Sequence, residues 1–227
     1  MPVKEREKEL VLQYLDETAI LRADLGPRSI VLMQVGSFYE VYALKSDDGT
    51  LEGGDVESFA RINCMKVASK GRARDGREIL MAGFGVAQVD SYVDRTVAEG
   101  YTVAIYDQET NAPKTDRSCV GIISPGTRIS DSSKNVSNTL ACLWVRSVKG
   151  RGIVPATRIL AGAVLDINTG QPSMFQAQAE DRHDPVAYDE LERQMAVRRP
   201  SECIVVHNLG ALGSDLPGFV GCADCKT

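Results

Sequence analysis

Two strand-like segments joined by a glycine place the strongest constraint on how this chain can fold. Ser29–Val35 and Phe38–Leu44 are rich in apolar and aromatic residues, and Gly36 stands between them. Such runs favour β-strands, and glycine supplies the backbone freedom that a tight turn needs. Residues two apart in a strand project from the same face, so Phe38 and Glu40 are expected to point together.

This aromatic–carboxylate pair is chemically suited to reading a nucleic-acid base. A flat ring can stack on the base after insertion from the minor groove, and a carboxylate can accept a hydrogen bond from the base edge. The alternative is a core phenylalanine beside a solvated glutamate, which the three-residue pattern alone does not exclude.

The remaining patterns predict an α/β fold. Apolar residues recur at helical spacing over residues 4–25, and Gly26-Pro27 ends that helix. Asp55 is expected to cap a short helix that ends at Ile62. Further strands are predicted at Cys64–Ala68, Glu78–Gly83, Tyr101–Tyr106, Cys119–Ile123, Leu140–Val145, Ile159–Ile167, Ser173–Gln176 and Cys203–His207, and further helices at Gln88–Glu99 and Pro185–Val197.

The composition changes sharply near the middle of the chain. A cluster of helix and strand breakers, Ser124-Pro125-Gly126-Thr127, is followed by the polar segment Ser130–Asn138. We therefore predict one domain over residues 1–127, a linker over 128–139 and a second domain over 140–227.

The charge balance argues against a protein held on DNA by bulk electrostatics, because the formal net charge is −5. One segment departs from this balance, with five basic residues around the single acid Asp75. A short basic loop can contact phosphates even on an acidic protein, but a solvated hairpin has the same composition. The five residues are Lys66, Lys70, Arg72, Arg74 and Arg77.

Several chemistries lack their usual sequence patterns. There is no G-x-x-x-x-G-K-[ST] phosphate loop, and Gly83-Phe84-Gly85 does not have the spacing of a dinucleotide fingerprint. Cys222-x-x-Cys225 lacks the second pair that a structural zinc site needs. No metal site or catalytic set is therefore predicted. The six scattered cysteines, with no signal peptide or membrane span, predict reduced thiols and an intracellular location.

An alternative of the enzyme class centres on Asp166. An aspartate near the end of a long strand is where RNase H-like nucleases hold a metal-binding carboxylate, and a two-metal site needs further acids that converge there. Asp189, Glu190, Glu192 and Glu202 are the candidates, although the first three lie on one helical stretch with the pattern of a solvated face. The favoured interpretation of Asp166 is a simple strand-end or turn residue.

Several blocks in a fixed order make the chain resemble the N-terminal part of the MutS family of DNA mismatch-repair proteins. The resemblance extends from about residue 10 to about residue 207 and is carried by Gly36-Ser37-Phe38-Tyr39-Glu40, Met81-Ala82-Gly83, Gly100-Tyr101-Thr102-Val103-Ala104, Ser124-Pro125-Gly126-Thr127, Asn138-Thr139-Leu140, Leu165-Asp166-Ile167-Asn168-Thr169-Gly170 and Arg199-Pro200-Ser201-Glu202.

The resemblance implies a mixed-sheet mismatch-recognition domain followed by an RNase H-like connector domain. It implies that Phe38 stacks on a mispaired base and that Glu40 hydrogen-bonds to it, with Gly36 in the supporting turn. It also implies mismatched double-stranded DNA as the partner and no cofactor in this chain. ATP, Mg²⁺, homodimerisation and a MutL-like partner are implied only for a longer protein with core, clamp and ATPase domains. A pure interaction module without DNA reading is the third hypothesis.

Three departures from the family pattern favour a divergent subfamily, such as that of large DNA viruses and some organelles. Ser37 stands where aspartate is usual, and Phe84-Gly85 replaces a branched residue followed by proline. The polar segment 46–54 replaces one that is often helical.

Overall fold

A computed structural model of the chain describes residues 3–110, 115–128, 138–153, 155–180, 185–209 and 225–226. The chain divides into two compact units, Met1–Pro125 and Gly126–Thr227. Most of the predicted linker lies outside the described residues, as does Cys222 of the Cys222-x-x-Cys225 pair.

The first unit is built on one mixed sheet of seven strands. Its strands run in the order β4-β5-β2-β1-β6-β7, and β3 pairs with β2. Neighbouring strands are antiparallel except β1 and β6, which are parallel. The elements are α1 (Val3–Leu25), β1 (Ser29–Val35), β2 (Phe38–Lys45), β3 (Leu51–Gly53), α2 (Val56–Ile62), β4 (Ala68–Arg72), β5 (Glu78–Gly85), α3 (Val89–Ala98), β6 (Thr102–Gln108) and β7 (Arg117–Ile123).

Helices cover both faces of this sheet, as apolar residues on both sides of a central strand require. On one face, Tyr14 of α1 packs edge-on against Tyr42 of β2, with ring centroids 5.4 Å apart. On the other face, Phe59 of α2 packs against Phe84 of β5, which stacks on Tyr92 of α3 at 4.0 Å. The side chains of β2 alternate, with Phe38, Glu40 and Tyr42 on one face and Tyr39 and Val41 on the other. Because Tyr42 packs against α1, the candidate reading pair lies on the α1 face.

The second unit contains a mixed sheet of five strands in the order β10-β9-β8-β11-β12. Strands β8, β9 and β10 form an antiparallel meander, and β11 lies parallel to both β8 and β12. A cluster of buried residues from α4 and the sheet forms its core, including Leu143, Leu160 and Leu191. The elements are β8 (Thr139–Val148), β9 (Thr157–Asp166), β10 (Gln171–Ala179), α4 (Pro185–Arg198), β11 (Glu202–His207) and β12 (Cys225–Lys226).

The α/β class and most predicted elements are confirmed, but the strand predicted at Cys64–Ala68 is wrong. The residues after α2 complete its C-terminus instead: Cys64 has a φ of +55°, and the Met65 amide donates to the Ala60 carbonyl at 2.8 Å. A positive φ is incompatible with an extended strand. Strand β4 therefore begins at Ala68 and carries Lys70 and Arg72, which were expected in a loop.

No helix within the described ranges is both long enough and apolar enough to cross a membrane.

Candidate functional site

Phe38 is a large aromatic residue that the fold leaves half-exposed. It is the first residue of β2, and its side chain is 53% exposed. In the sheet, Phe38 pairs with Val35 of β1 on one side and with Gly85 of β5 on the other. A Cβ placed on Gly85 would have no neighbour within 4 Å, so the space beside the Phe38 ring is open on that side.

The turn that presents Phe38 is fixed from both sides. Gly36 has a φ of +61°, which a non-glycine residue adopts only with strain. Its amide donates to Oε1 of Gln108 at 2.8 Å, and Nε2 of Gln34 donates to its carbonyl at 3.1 Å. On the other side, the Val86 amide donates to the Ser37 carbonyl at 3.0 Å. The two-residue turn is thus tied to both β6 and the end of β5.

We expect Gly36→Ala to destabilise the chain by about 1 kcal/mol, the cost of forcing an L-residue into the left-handed region. The new methyl group meets no atom within 4 Å, so the effect is purely conformational. Gly85→Ala is the matched control, because its methyl group is equally unobstructed and its φ is not positive. Urea denaturation of both variants tests this, and equal stabilities would contradict it.

Glu40 is a buried carboxylate held by two partners. Its side chain shares the face of Phe38, and the residue is only 8% exposed. Nζ of Lys70 lies 2.9 Å from Oε2, and the Tyr42 hydroxyl donates to the same oxygen. Lys70 also donates to the Tyr42 hydroxyl at 3.1 Å. Among the described residues, no hydrogen bond reaches Oε1 of Glu40.

Gly83 makes room for this carboxylate. It pairs with Glu40 across β2 and β5, and a Cβ at Gly83 would lie 3.0 Å from Cγ of Glu40. That separation is tighter than ordinary van der Waals contact, so a side chain at Gly83 would press on Glu40. The glycine of the Met81-Ala82-Gly83 block therefore has a steric role beside the candidate site.

A second cation lies near the same cluster. Nε of Arg117, on β7, donates to the carbonyl of Gln34 at 2.8 Å. Burial lowers the pKa of Arg117, and its electrostatic interactions with Tyr42 and Glu40 oppose that shift. The negative charge of Glu40 is therefore compensated by Lys70 directly and by Arg117 at longer range.

Tyr39 anchors strand β2 between Phe38 and Glu40. Its ring packs on Phe84 on the opposite face, with centroids 5.9 Å apart, and its hydroxyl donates to Asp107. Burial raises the pKa of the Tyr39 hydroxyl, and the hydrogen bond to Asp107 raises it further. The hydroxyl therefore stays protonated at neutral pH and can keep donating.

The five predicted basic residues do not act as one group. Lys70 pairs with Glu40, and Arg77 pairs with both Asp75 and Glu52. A guanidinium nitrogen of Arg72 donates to the Gly76 carbonyl at 2.8 Å. Lys66 and Arg74 are exposed, in the segment before β4 and in the β4–β5 turn. Only Lys70 is brought to the Phe38–Glu40 pair.

Asp166 has the geometry of a turn residue. It ends β9, and its Oδ1 accepts from the amides of Asn168 and Thr169 at 2.9 and 3.2 Å. Glu202 is buried and accepts from the Gly126 amide at 3.0 Å. Within the described part of the chain, no three His, Cys, Asp or Glu residues are grouped so as to hold a metal ion. The nuclease alternative gains no support from this arrangement.

Five supporting residues were not predicted from the sequence. Gly83 and Gly85 alternate with Phe84 along β5, and only the register of β5 against β2 places both glycines beside Glu40 and Phe38. Tyr42 lies two residues beyond Glu40 and could have been found by the same alternation. The contacts of Gln34 and Gln108 join residues 72 or more positions apart, which no local pattern reveals.

Comparison with known proteins assigns the class of the first unit: residues 21–132 match the family model of MutS domain I. The chain is also similar to full-length relatives at modest identity. It is 25% identical over 205 residues to a DNA mismatch repair MutS homologue of Acanthamoeba polyphaga mimivirus, covering 89% of this chain and 18% of that protein. It is 27% identical over 190 residues to DNA mismatch repair protein MutS of Methanosarcina barkeri, covering 81% and 19%. For MutS of Desulfitobacterium hafniense the identity is 28% over 185 residues, covering 79% and 18%.

The resemblance to the N-terminal part of the MutS family of DNA mismatch-repair proteins is therefore confirmed, at modest identity over most of the chain. The chain spans about a fifth of the length of these relatives.

Proposed function

We propose that this chain is a mismatch-reading module of a MutS-like repair protein. Phe38 enters the minor groove and stacks on one base of a mispaired or unpaired site, while Glu40 accepts a hydrogen bond from that base. The observation that carries the proposal is a half-exposed aromatic ring on a pinned two-residue turn, with a carboxylate next to it on the same face.

The physical basis of selectivity is the cost of unstacking. Inserting a side chain between base steps costs a few kcal/mol in an intact duplex, and less where pairing is already broken. The ring gains stacking energy at either kind of site, so the difference in unstacking cost favours the mismatch. A turn tied at both ends supports this role, because the probe loses little freedom on binding.

The partners of Glu40 support its role as an acceptor. A bare carboxylate near DNA phosphates would be repelled, and here Lys70 and Arg117 offset its charge. Both protein hydrogen bonds go to Oε2, which leaves Oε1 to accept a donor from the base. In this proposal Lys66, Arg72, Arg74 and Arg77 contact the DNA backbone, and Gly36 maintains the conformation of the turn.

For the second unit we infer an RNase H-like connector. The antiparallel meander β8–β10, the helix α4 and the parallel strand β11 support that fold. In a longer MutS-like protein it would join the reading domain to core, clamp and ATPase domains, or bind a MutL-like partner. Such a protein would form a homodimer, and its ATPase domain would use ATP and Mg²⁺. In this proposal the present chain carries out no catalytic step.

The proposal is tested by binding of the 227-residue chain to two duplexes that differ only in one mismatch or unpaired base. Binding is expected to be weak and salt-sensitive, since the chain is acidic and offers a small contact area. NMR titration at low salt and high protein concentration therefore suits the measurement. We expect at least about fivefold tighter binding to the mismatched duplex, with the largest shifts at the Phe38 amide. Equal affinity for the two duplexes would overturn the proposal.

A further inference from the structure

A basic cavity is lined by Lys70 and Tyr42, the two hydrogen-bond partners of Glu40. Its volume is about 270 Å³, and its described walls come from α1, β2, β4 and β5. Three cationic side chains line it: Lys8 from the helix, and Lys70 and Arg72 from the strand. Of the described lining residues none carries a carboxylate; Val11, Tyr42 and Ile79 supply an apolar wall with one hydroxyl group.

The three cations are only partly used by the protein itself. Lys70 shares its ammonium group between Glu40 and the Tyr42 hydroxyl. Arg72 donates one guanidinium hydrogen bond to the Gly76 carbonyl, and a guanidinium carries five N–H donors. Even with the charge of Glu40 counted against that of Lys70, the described residues that line the cavity carry an excess of positive charge. Such an excess in a partly enclosed space favours an anion.

We propose that Lys8, Lys70 and Arg72 form a seat for a single phosphate group of the DNA backbone. This inference rests on the proposed function for the identity of the anion. Phosphate contacts fix the position of a protein on the duplex without reading sequence. A phosphate held here lies next to the reading carboxylate and sets where the duplex stands relative to Phe38 and Glu40.

Lys70 couples the seat to the reading residue. Its ammonium group lies 2.9 Å from Oε2 of Glu40 and also lines the cavity. A phosphate in the cavity shares this ammonium group with Oε2 of Glu40, so one cation offsets the charge of both anions. Oε1 of Glu40 stays open to a donor from the base while the backbone is docked.

The test compares Lys8→Gln, Arg72→Gln and the double variant with the wild-type chain, on paired and mismatched duplexes over a range of salt concentrations. One seat neutralises one phosphate, so the slope of log affinity against log salt should fall by about 0.9 in each variant. The double variant should lose no more slope than either single one. Each single substitution should weaken binding to both duplexes equally, by about tenfold. Lys149→Gln, an exposed lysine of the second unit, is the matched control and should leave the slope unchanged.

Inorganic phosphate is the second probe, because it separates a site for any phosphate from one that requires DNA. We expect it to shift the NMR signals of the Lys8, Lys70 and Arg72 side chains in the wild type, and to leave the Lys70 signal unshifted in the double variant. If all the variants keep the wild-type salt slope and the mismatch preference is intact, the proposed phosphate seat is contradicted and the proposed function still stands. Reduced slopes in a chain with no mismatch preference would support the seat and overturn the proposed function.

Discussion

Replacing Phe38 with alanine is expected to remove the preference for mismatched over paired duplex. Stacking of a base on an aromatic side chain contributes about 1–3 kcal/mol, which corresponds to roughly 5- to 150-fold in affinity. The ratio of the two affinities should therefore fall to about 1, with most of the loss on the mismatched duplex. NMR titration of the two duplexes measures that ratio.

The variant should fold normally, since the Phe38 side chain is 53% exposed and fills no core position. Ile20→Ala is the matched control: Ile20 is an apolar residue of α1 with 59% exposure, and its removal should leave the preference intact. A Phe38→Ala chain that still discriminates as well as the wild type would show that the ring does not read the base.

Replacing Lys70 with methionine is expected to be the most destabilising change at the site, by about 2 kcal/mol. The substitution keeps most of the aliphatic length but leaves the carboxylate of Glu40, whose side chain is 10% exposed, without its direct cationic partner. Breaking a fully buried ion pair typically costs 3–5 kcal/mol, and the 25% exposure of the Lys70 side chain reduces that figure. Urea denaturation gives the free energy of unfolding.

A double-mutant cycle separates this effect from a simple loss of packing. Glu40→Gln removes the charge that Lys70 neutralises, so Glu40→Gln combined with Lys70→Met should recover most of the lost stability. The same double variant should bind the mismatched duplex more weakly than the wild type but still prefer it, because Phe38 is unchanged and an amide oxygen is a weaker acceptor than a carboxylate. Strictly additive stability losses would contradict a coupled pair.

The local features of the site could be predicted from the sequence because they depend on short-range geometry. Phe38 and Glu40 were expected on one face from the two-residue period of a strand, and the structure has them there. Gly36 was expected in a turn because it separates two apolar runs, and its φ is +61°. Asp55 was expected to cap α2, and its Oδ1 does accept from the Ser58 amide at 3.1 Å.

The partners of these residues could not be predicted, since they come from distant parts of the chain. Lys70 lies 30 positions after Glu40, and only the pairing of β4 with β5 and of β5 with β2 brings it within reach. The basic segment was therefore treated as one loop, whereas the structure divides it between an ion pair with the site and an ion pair with Asp75 and Glu52. The misplaced strand at Cys64–Ala68 had a different, local cause: the composition of the segment does not reveal a helix C-terminus that depends on a positive φ at Cys64.

The pinned turn between β1 and β2 has a consequence for where discrimination arises. The backbone that carries Phe38 is held before any ligand arrives, by hydrogen bonds that Gln34 and Val86 donate and one that Gln108 accepts. A stiff probe of this kind responds to the mechanical compliance of the duplex more than to the identity of a base. The affinity for a mismatch would then follow how little energy is needed to unstack the duplex at that base step. Mismatches of different base composition but equal deformability would be bound with equal affinity.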